Sequence, residues 1–357
     1  MTVRRSTRSR PTGRRRAGRA AAGALLLVLA SCGSGGEESA ADPTNTSTDA
    51  QTDAPIDAQT AAPETPAASF PRTIEVDDGT TVSIGAEPVR IAALSTDVAE
   101  VAIALAGADR LVAVPETNAT AAVGSDPAAA GTVEHRLSFG DRVDRDLLAS
   151  WDTDLVLISP NHPEERELSE ALAGGSVPIL VMPNSWDDLD DVRTNIDLIA
   201  QAIGAESDAA EIIDDMTRRE EAVRDRVAAV ETRPVVLILT NVAQVPFLVG
   251  PGTTTHSLVE TAGGTNAADL LQVTTTISGV GANQIATADP DAILLVDGLG
   301  TGREAFAPLL DSPELAGLDA IADDNVLVLP ARDTFGVAHT LVNGLEAIAD
   351  WLHPPTG

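Results

Sequence analysis

Val89–Val114, VRIAALSTDVAEVAIALAGADRLVAV, is the stretch on which the fold turns. Val89–Leu94 is a compact apolar run of the kind that forms a strand buried on both faces. Ser95, Thr96 and Asp97 follow, residue types that cap a helix, and VAEVAIALAG then carries its apolar side chains at helical spacing up to Gly107. Leu111–Val114 is a second apolar run. Strand, cap, helix and strand is the order these residues support.

Outward from this unit the alternation continues. Upstream, Thr73–Ile84 alternates apolar and polar residues around Asp77-Asp78-Gly79, the signature of a short hairpin. Downstream, strands are expected at Leu155–Ile158 and Pro178–Met182, with helices near Asp146–Ser150, Glu165–Ala173 and Trp186–Ile203. Apolar strands alternating with helices imply a mostly parallel sheet covered on both faces. Asp208–Val230 has no Gly or Pro and is charged on one face, so it predicts one helix of about 23 residues, roughly 35 Å long. The first pattern then restarts. Pro234–Leu239 is strand-like, Thr255–Ala262 begins a helix, and DPDAILLVDG at 289–298 echoes DTDLVLIS at 152–159. Asn325–Leu329 and Leu341–Leu352 supply a last strand and helix. The predicted fold is α/β, two Rossmann-like lobes (70–206 and 232–357) with mostly parallel central sheets, joined by one long α-helix (207–231).

Composition narrows the function. The 357 residues include 23 basic and 54 acidic side chains, a formal charge of −31, and no lysine or tyrosine. Eight of the 23 arginines precede Cys32, leaving 15 against all 54 acids in the remainder. Such a chain does not neutralise phosphates, which argues against a nucleic-acid partner. A single cysteine excludes a disulfide framework and a Cys-based zinc site. The five histidines are scattered without H-x-H or H-E-x-x-H spacing. There is no G-x-S-x-G elbow, and in Gly298-Leu299-Gly300-Thr301-Gly302 the last glycine of a dinucleotide loop is replaced by Arg303.

The N-terminus is expected to be a targeting segment. Arginine-rich residues precede AAAGALLLVLA at 20–30, a run too short to span a bilayer but suited to a secretory signal. Leu29-Ala30-Ser31-Cys32 resembles a bacterial lipobox, which implies a signal peptide at 1–31 and lipidation at Cys32. Residues 32–69, rich in Gly, Ser, Thr, Pro, Ala and acid, would form a disordered acidic tether reaching about 35 Å. The expectation is an exported monomer anchored to the outer face of the cell membrane.

Taken together, the lipobox, the acidic linker, the hairpin, VRIAALSTDVAEVAIALAGADRLVAV, DTDLVLIS, the long helix, THSLVETAGGTNAAD at 255–269 and DPDAILLV form a recognisable series. It resembles the substrate-binding lipoproteins of ABC importers for ferric siderophores, haem and cobalamin, over roughly Phe70 to His353. The resemblance implies a rigid two-lobed receptor with a helical hinge, no catalysis and no cofactor, delivering its cargo to a permease and its ATPase. A ferric siderophore is the first choice of cargo, haem the second and cobalamin the third; a cell-surface sensor using the same fold is the alternative. The resemblance also implies one permease-docking acid per lobe, at Asp146 and Glu260, where the other reading is an ordinary solvated helix acid.

Cargo contacts are expected from loops at the carboxyl ends of the strands. In the first lobe these carry Ser95, Thr96, Glu116, the stretch His135 to Phe139 with Arg136, Asn161, His162 and Asn184 to Trp186. The second lobe contributes Asn241, Phe247, Thr274 to Ser278, Asp297 and Asp333 to Phe335. Trp186, Phe247 and Phe335 would lie against a flat or greasy ligand or plug local cores, and Arg136 would pair with an oxygen anion. The resemblance to the haem-binding branch makes His135 the residue to ligate iron if the cargo is haem, with His256 or His339 standing in for the tyrosine that branch often uses.

Overall fold

A computed structural model describes residues 69–76, 79–183, 186–242, 245–335 and 338–354. The signal, Cys32 and the tether lie outside these residues, as do Asp77, Asp78 and Asn184.

The first lobe opens with an antiparallel hairpin, β1 (Arg72–Glu75) and β2 (Thr81–Ile84), in register Arg72↔Ile84 to Glu75↔Thr81. Its alternation buries Ile74, Val82 and Ile84 and leaves the polar residues outside. β3 (Ile91–Ala93), β4 (Leu111–Pro115), β5 (His135–Leu137), β6 (Leu155–Ile158) and β7 (Ile179–Val181) form a five-stranded sheet in the order β5-β4-β3-β6-β7. All four of its pairings are parallel. β3 and β6 are buried at every position, which is why their sequences are continuously apolar.

The second lobe contains β8 (Val235–Val242), β9 (Val245–Leu248), β10 (Thr265–Asn266), β11 (Ile277–Ser278), β12 (Ala292–Asp297) and β13 (Val326–Pro330). Their order is β11-β9-β8-β12-β13, with β10 also pairing β8. β8, β10, β12 and β13 pair in parallel, whereas β9 pairs antiparallel with both β8 and β11. The two sheets therefore differ. The segments holding Phe247 and Ser278, expected as loops, are short antiparallel strands, the second of them at the sheet edge, and His135–Leu137 is an edge strand rather than part of a loop. These runs of two to four residues are too short to show periodicity, and only pairing with a neighbour makes them strands.

The helix Glu206–Val227 connects the lobes. Ion pairs tie it to each side. Arg193, on the helix Leu189–Ile203, places Nη1 2.7 Å from Glu220 Oε2. Arg219 makes a two-pronged contact with Glu346 of the helix Leu341–Leu352, at 3.0 and 2.6 Å. Arg226 reaches Asp350 on that same helix. A helix held at both flanks by side chains about 25 residues away in one direction and 125 in the other resists hinge twisting.

Candidate functional site

Parallel strands deliver their carboxyl ends to one edge of a sheet, and the two lobes turn these edges toward each other. Two contacts bridge them. Arg332, just after β13, donates its backbone N–H to Ala122 O at 3.0 Å and its guanidinium to Ala121 O. Thr254, at the start of the helix Thr254–Thr261, donates its hydroxyl to the Trp186 carbonyl at 2.8 Å. Between them lies the crevice in which an open α/β fold binds ligands.

The first lobe's floor is a buried polar network. Ser95 Oγ donates to Ser159 O and accepts from Ser159 N, both at 3.0 Å, stitching the β3 loop to the β6 loop. Trp186 Nε1 donates to Ser159 Oγ at 2.9 Å. Ser159 in turn bonds the Asp97 carboxylate, which also accepts from Asn161 Nδ2 at 2.7 Å. Burial pushes Asp97 up to about 6, against the hydrogen bonds from Ser159, Val98 and Asn161. Ser95 and Trp186, expected to touch cargo, are thus 2% and 7% exposed and serve as floor. An indole buried in that position needs a partner for its N–H, and Ser159 is that partner.

His135 and Arg136 are also engaged away from the crevice. The His135 ring stacks on Trp151 with centroids 4.4 Å apart and planes at 19°, and its Nε2 lies 3.8 Å from Glu134. Successive strand residues point to opposite faces, so Arg136 turns the other way and donates from Nη1 to Gly131 O and Val133 O, each at 2.9 Å. His256, the other lobe's stand-in for tyrosine, has Nδ1 3.1 Å from Asn266 Nδ2. His339 lines a groove of about 540 Å³ beside Leu105, Asp215 and Arg219. That groove lies along the connecting helix, at the end of Thr96–Ala106 remote from the strand ends.

In the second lobe Asp297 holds its own loop. Its carboxylate accepts from Leu299 N at 3.1 Å, Thr301 N at 3.2 Å, Gly302 N at 2.6 Å and Asn241 Nδ2 at 3.1 Å. Burial works to raise its pKa, yet these donors outweigh it and hold the group below the ordinary carboxylate range. The same bonds consume the N–H groups that a phosphate would need at this glycine-rich loop.

What remains open to a ligand is a different set. Thr96 and Thr117 face each other with hydroxyls 3.0 Å apart, and Glu116 accepts from Ser138 Oγ at 2.7 Å, both on the exposed rim. Phe139, expected only as part of the 135–139 stretch, is 95% exposed just past β5. Phe335 is 42% and Leu299 44% exposed on the opposing loops, while Phe247 is half-buried on β9. Leu299 was not among the residues singled out from sequence, although an apolar side chain flanked by glycines after a strand is a usable signal. Asp97 and Ser159 were also missed, because a short polar residue next to a helix start looks like a cap.

Of the two docking candidates, Asp146 is exposed in the first turn of the helix Arg145–Ser150. Glu260 is half-buried, 3.1 Å from Arg233 Nη2, and also accepts from Asn266 N at 3.3 Å. Among the described residues no cluster of His, Cys, Asp and Glu suits a metal ion, and no helix is long and apolar enough to cross a membrane.

Comparison with known proteins agrees with this geometry. No curated protein sequence matches the chain. Among solved structures, the periplasmic heme-binding protein RhuT from Roseiflexus sp. is similar at 22% identity and a TM-score of 0.59, covering 74% of this chain and 97% of its own. An ABC-type Fe3+-hydroxamate transport system protein from Saccharomonospora viridis is similar at 23% identity and TM-score 0.60, covering 80% and 100%. Helicobacter pylori CeuE, with Ni(II) bound, is similar at 20% identity and TM-score 0.61, covering 79% and 89%. These likenesses establish the two-lobed fold. The sequence pattern of the family described as "Periplasmic binding protein" matches residues 91–332, from β3 through the loop after β13, and the chain therefore belongs to that family of solute-binding proteins.

Proposed function

We propose that this protein is an extracytoplasmic receptor, lipid-anchored through Cys32, that captures an iron chelate of the ferric siderophore class and presents it to an ABC permease and its ATPase. The observation that carries the reading is the family match over 91–332 combined with apolar side chains left exposed on strand-end loops of both lobes, Phe139 in the first and Phe335 and Leu299 in the second. A rim of hydroxyls around exposed apolar side chains suits a compact organic chelate with polar edges. Support for iron as the cargo element comes from similarly folded proteins named for heme binding and for Fe3+-hydroxamate transport. A siderophore is preferred to haem here because His135 stacks on Trp151. Asp146 and Glu260 are the permease-docking acids of this proposal, setting register more than affinity.

Titration of the full chain with ferric siderophores, haemin and cobalamin tests the reading, followed by absorbance and tryptophan fluorescence. Saturable binding of an intact ferric siderophore without a new protein–iron absorption band is expected. A haemin complex with a shifted Soret band that is lost in His135→Ala would overturn the choice of cargo, and binding of none of them would overturn the importer reading.

A further inference from the structure

The distribution of positive charge says more about the cargo. The chain has no lysine, so every fixed cation beyond Cys32 is one of 15 arginines, and all of these lie among the described residues. Those on or beside the strand-end loops are Arg136, Arg142, Arg166, Arg303 and Arg332. Arg136 is tied to two carbonyls, Arg303 pairs with Asp324, and Arg332 is spent on the contact between the lobes. Arg166 makes one bond, to Pro160 O at 3.2 Å. Only Arg142, exposed beside Phe139, has no hydrogen bond or ion pair among the described residues.

The fold's other means of attracting an anion are occupied by its own acids. The start of the helix Thr96–Ala106 holds Asp97, which accepts from Val98 N at 2.8 Å. The start of Pro163–Leu172 holds Glu165, which accepts from His162 N at 2.9 Å. The glycine-rich loop after β12 closes on Asp297. Meanwhile Glu116 and Asp187 stand exposed on the same loops with no arginine partner among the described residues. Asp187 is raised by partial burial and by the nearby Asp191 and Asp188, the mark of a site short of cations.

We infer that the crevice selects a cargo without net negative charge, a neutral or cationic Fe(III) chelate of the trihydroxamate type, and rejects polyanionic chelates. This rests on the iron-chelate reading above and narrows it by charge. A trianionic tris-catecholate or a haem with two propionates would meet carboxylates that no arginine neutralises and find one free guanidinium. A hydroxamate complex has no charge to neutralise, and an amine on its periphery would gain from Glu116 and Asp187.

The test is a calorimetric comparison of four probes on the full chain: cationic ferrioxamine B, the trianionic ferric enterobactin complex, haemin and neutral cyanocobalamin. Ferrioxamine B is expected to bind about tenfold or more tightly than either anionic probe at about 0.15 M salt, the gap shrinking at about 0.5 M as screening sets in. Equal or tighter binding of ferric enterobactin or haemin overturns the charge inference while leaving the receptor reading intact. Binding of cyanocobalamin alone overturns the iron-chelate reading but not the charge rule; binding of none overturns both. The paired substitution Glu116→Gln, Asp187→Asn is expected to reduce the cation-to-anion preference about threefold. An unchanged ratio in a folded variant counts against the inference.

Discussion

Each lobe secures a crevice loop with one buried carboxylate and one asparagine, but the two do it over different distances along the chain. In the second lobe Asp297 ends β12 and binds N–H groups two, four and five residues ahead, with Asn241 alongside. In the first lobe Glu100 sits inside a helix and reaches a loop some 20 residues later. Its carboxylate accepts from Asn118 Nδ2 at 2.6 Å and Ser125 N at 2.7 Å. The local tie shapes a loop by itself. The distant tie makes the loop depend on the helix Thr96–Ala106, and that loop carries the Ala121 and Ala122 carbonyls that meet Arg332. Loosening Glu100 therefore reaches the interlobe contact, whereas loosening Asp297 acts first on the 298–302 loop.

The most severe way to break this comparison is through backbone packing. A Cβ on Gly124 would lie 1.9 Å from Asn118 O, and one on Gly344 1.8 Å from Asp333 O. Neither carbonyl can retreat as a flexible side chain would. Gly124→Ala and Gly344→Ala are each expected to cost about 3 kcal/mol or more in denaturant unfolding.

Next in size are the acids themselves. Glu100→Ala strands one N–H of the Asn118 amide, whose other N–H keeps Thr96 O, and the Ser125 N–H in a site that is 2% exposed at Glu100, at a cost of about 2–3 kcal/mol. Asp297→Ala is expected to cost about 2 kcal/mol. Hydrogen exchange separates the pair. Faster exchange is expected around 118–125 for the first and confined to 299–302 for the second; the same exchange pattern in both variants would erase the distinction.

A third carboxylate provides a pH test. Asp97 is raised in the folded state to about 6 from 3.8, so the folded protein holds this proton more tightly than the unfolded chain does. Its contribution is therefore neutral below about pH 4, becomes increasingly destabilising as pH rises from about 4 to about 6, and is constant above that. Asp97→Asn keeps an oxygen for the Asn161 amide and is expected to stabilise the protein by about 1–2 kcal/mol at pH 7.5, with the gain gone at pH 4. Thermal unfolding at the two pH values measures it, and a gain that persists at pH 4 would contradict the assignment. The smallest effect is expected at His135→Ala, which removes the stack on Trp151 for about 1 kcal/mol while siderophore affinity stays unchanged.

Much of the fold was legible in the chain. The apolar runs at 91–93, 111–115, 155–158, 179–181 and 292–297 are strands wholly or partly buried in the sheets, the run at 326–330 is a half-exposed edge strand, and such runs carry a strong signal. The long helix was legible from an uninterrupted charged pattern and is Glu206–Val227. The antiparallel pair β9 and β11 was not, since the four residues of β9 gain their conformation from Leu239, Thr240 and their neighbours on β8, and the two of β11 from Phe247 and Leu248 on β9. The site was less legible than the fold. Residue type marked Trp186, His135 and Arg136 as binders, and the first two are held by Ser159 and Trp151, remote in sequence, while Arg136 folds back on the carbonyls of Gly131 and Val133.

The sequence by itself determined the order of elements, the two-lobed class and the shortage of cations, because burial patterns and composition are properties of the chain before it folds. Only the tertiary structure decided which polar groups were left for a ligand. Whether a side chain is free depends on whether a donor or acceptor already lies within about 3 Å, and distances between residues far apart in the chain are set by packing. Asp97 and Asp297 illustrate the point. One opens the helix after β3 and the other ends β12, yet burial drives the first up and a ring of N–H donors holds the second down.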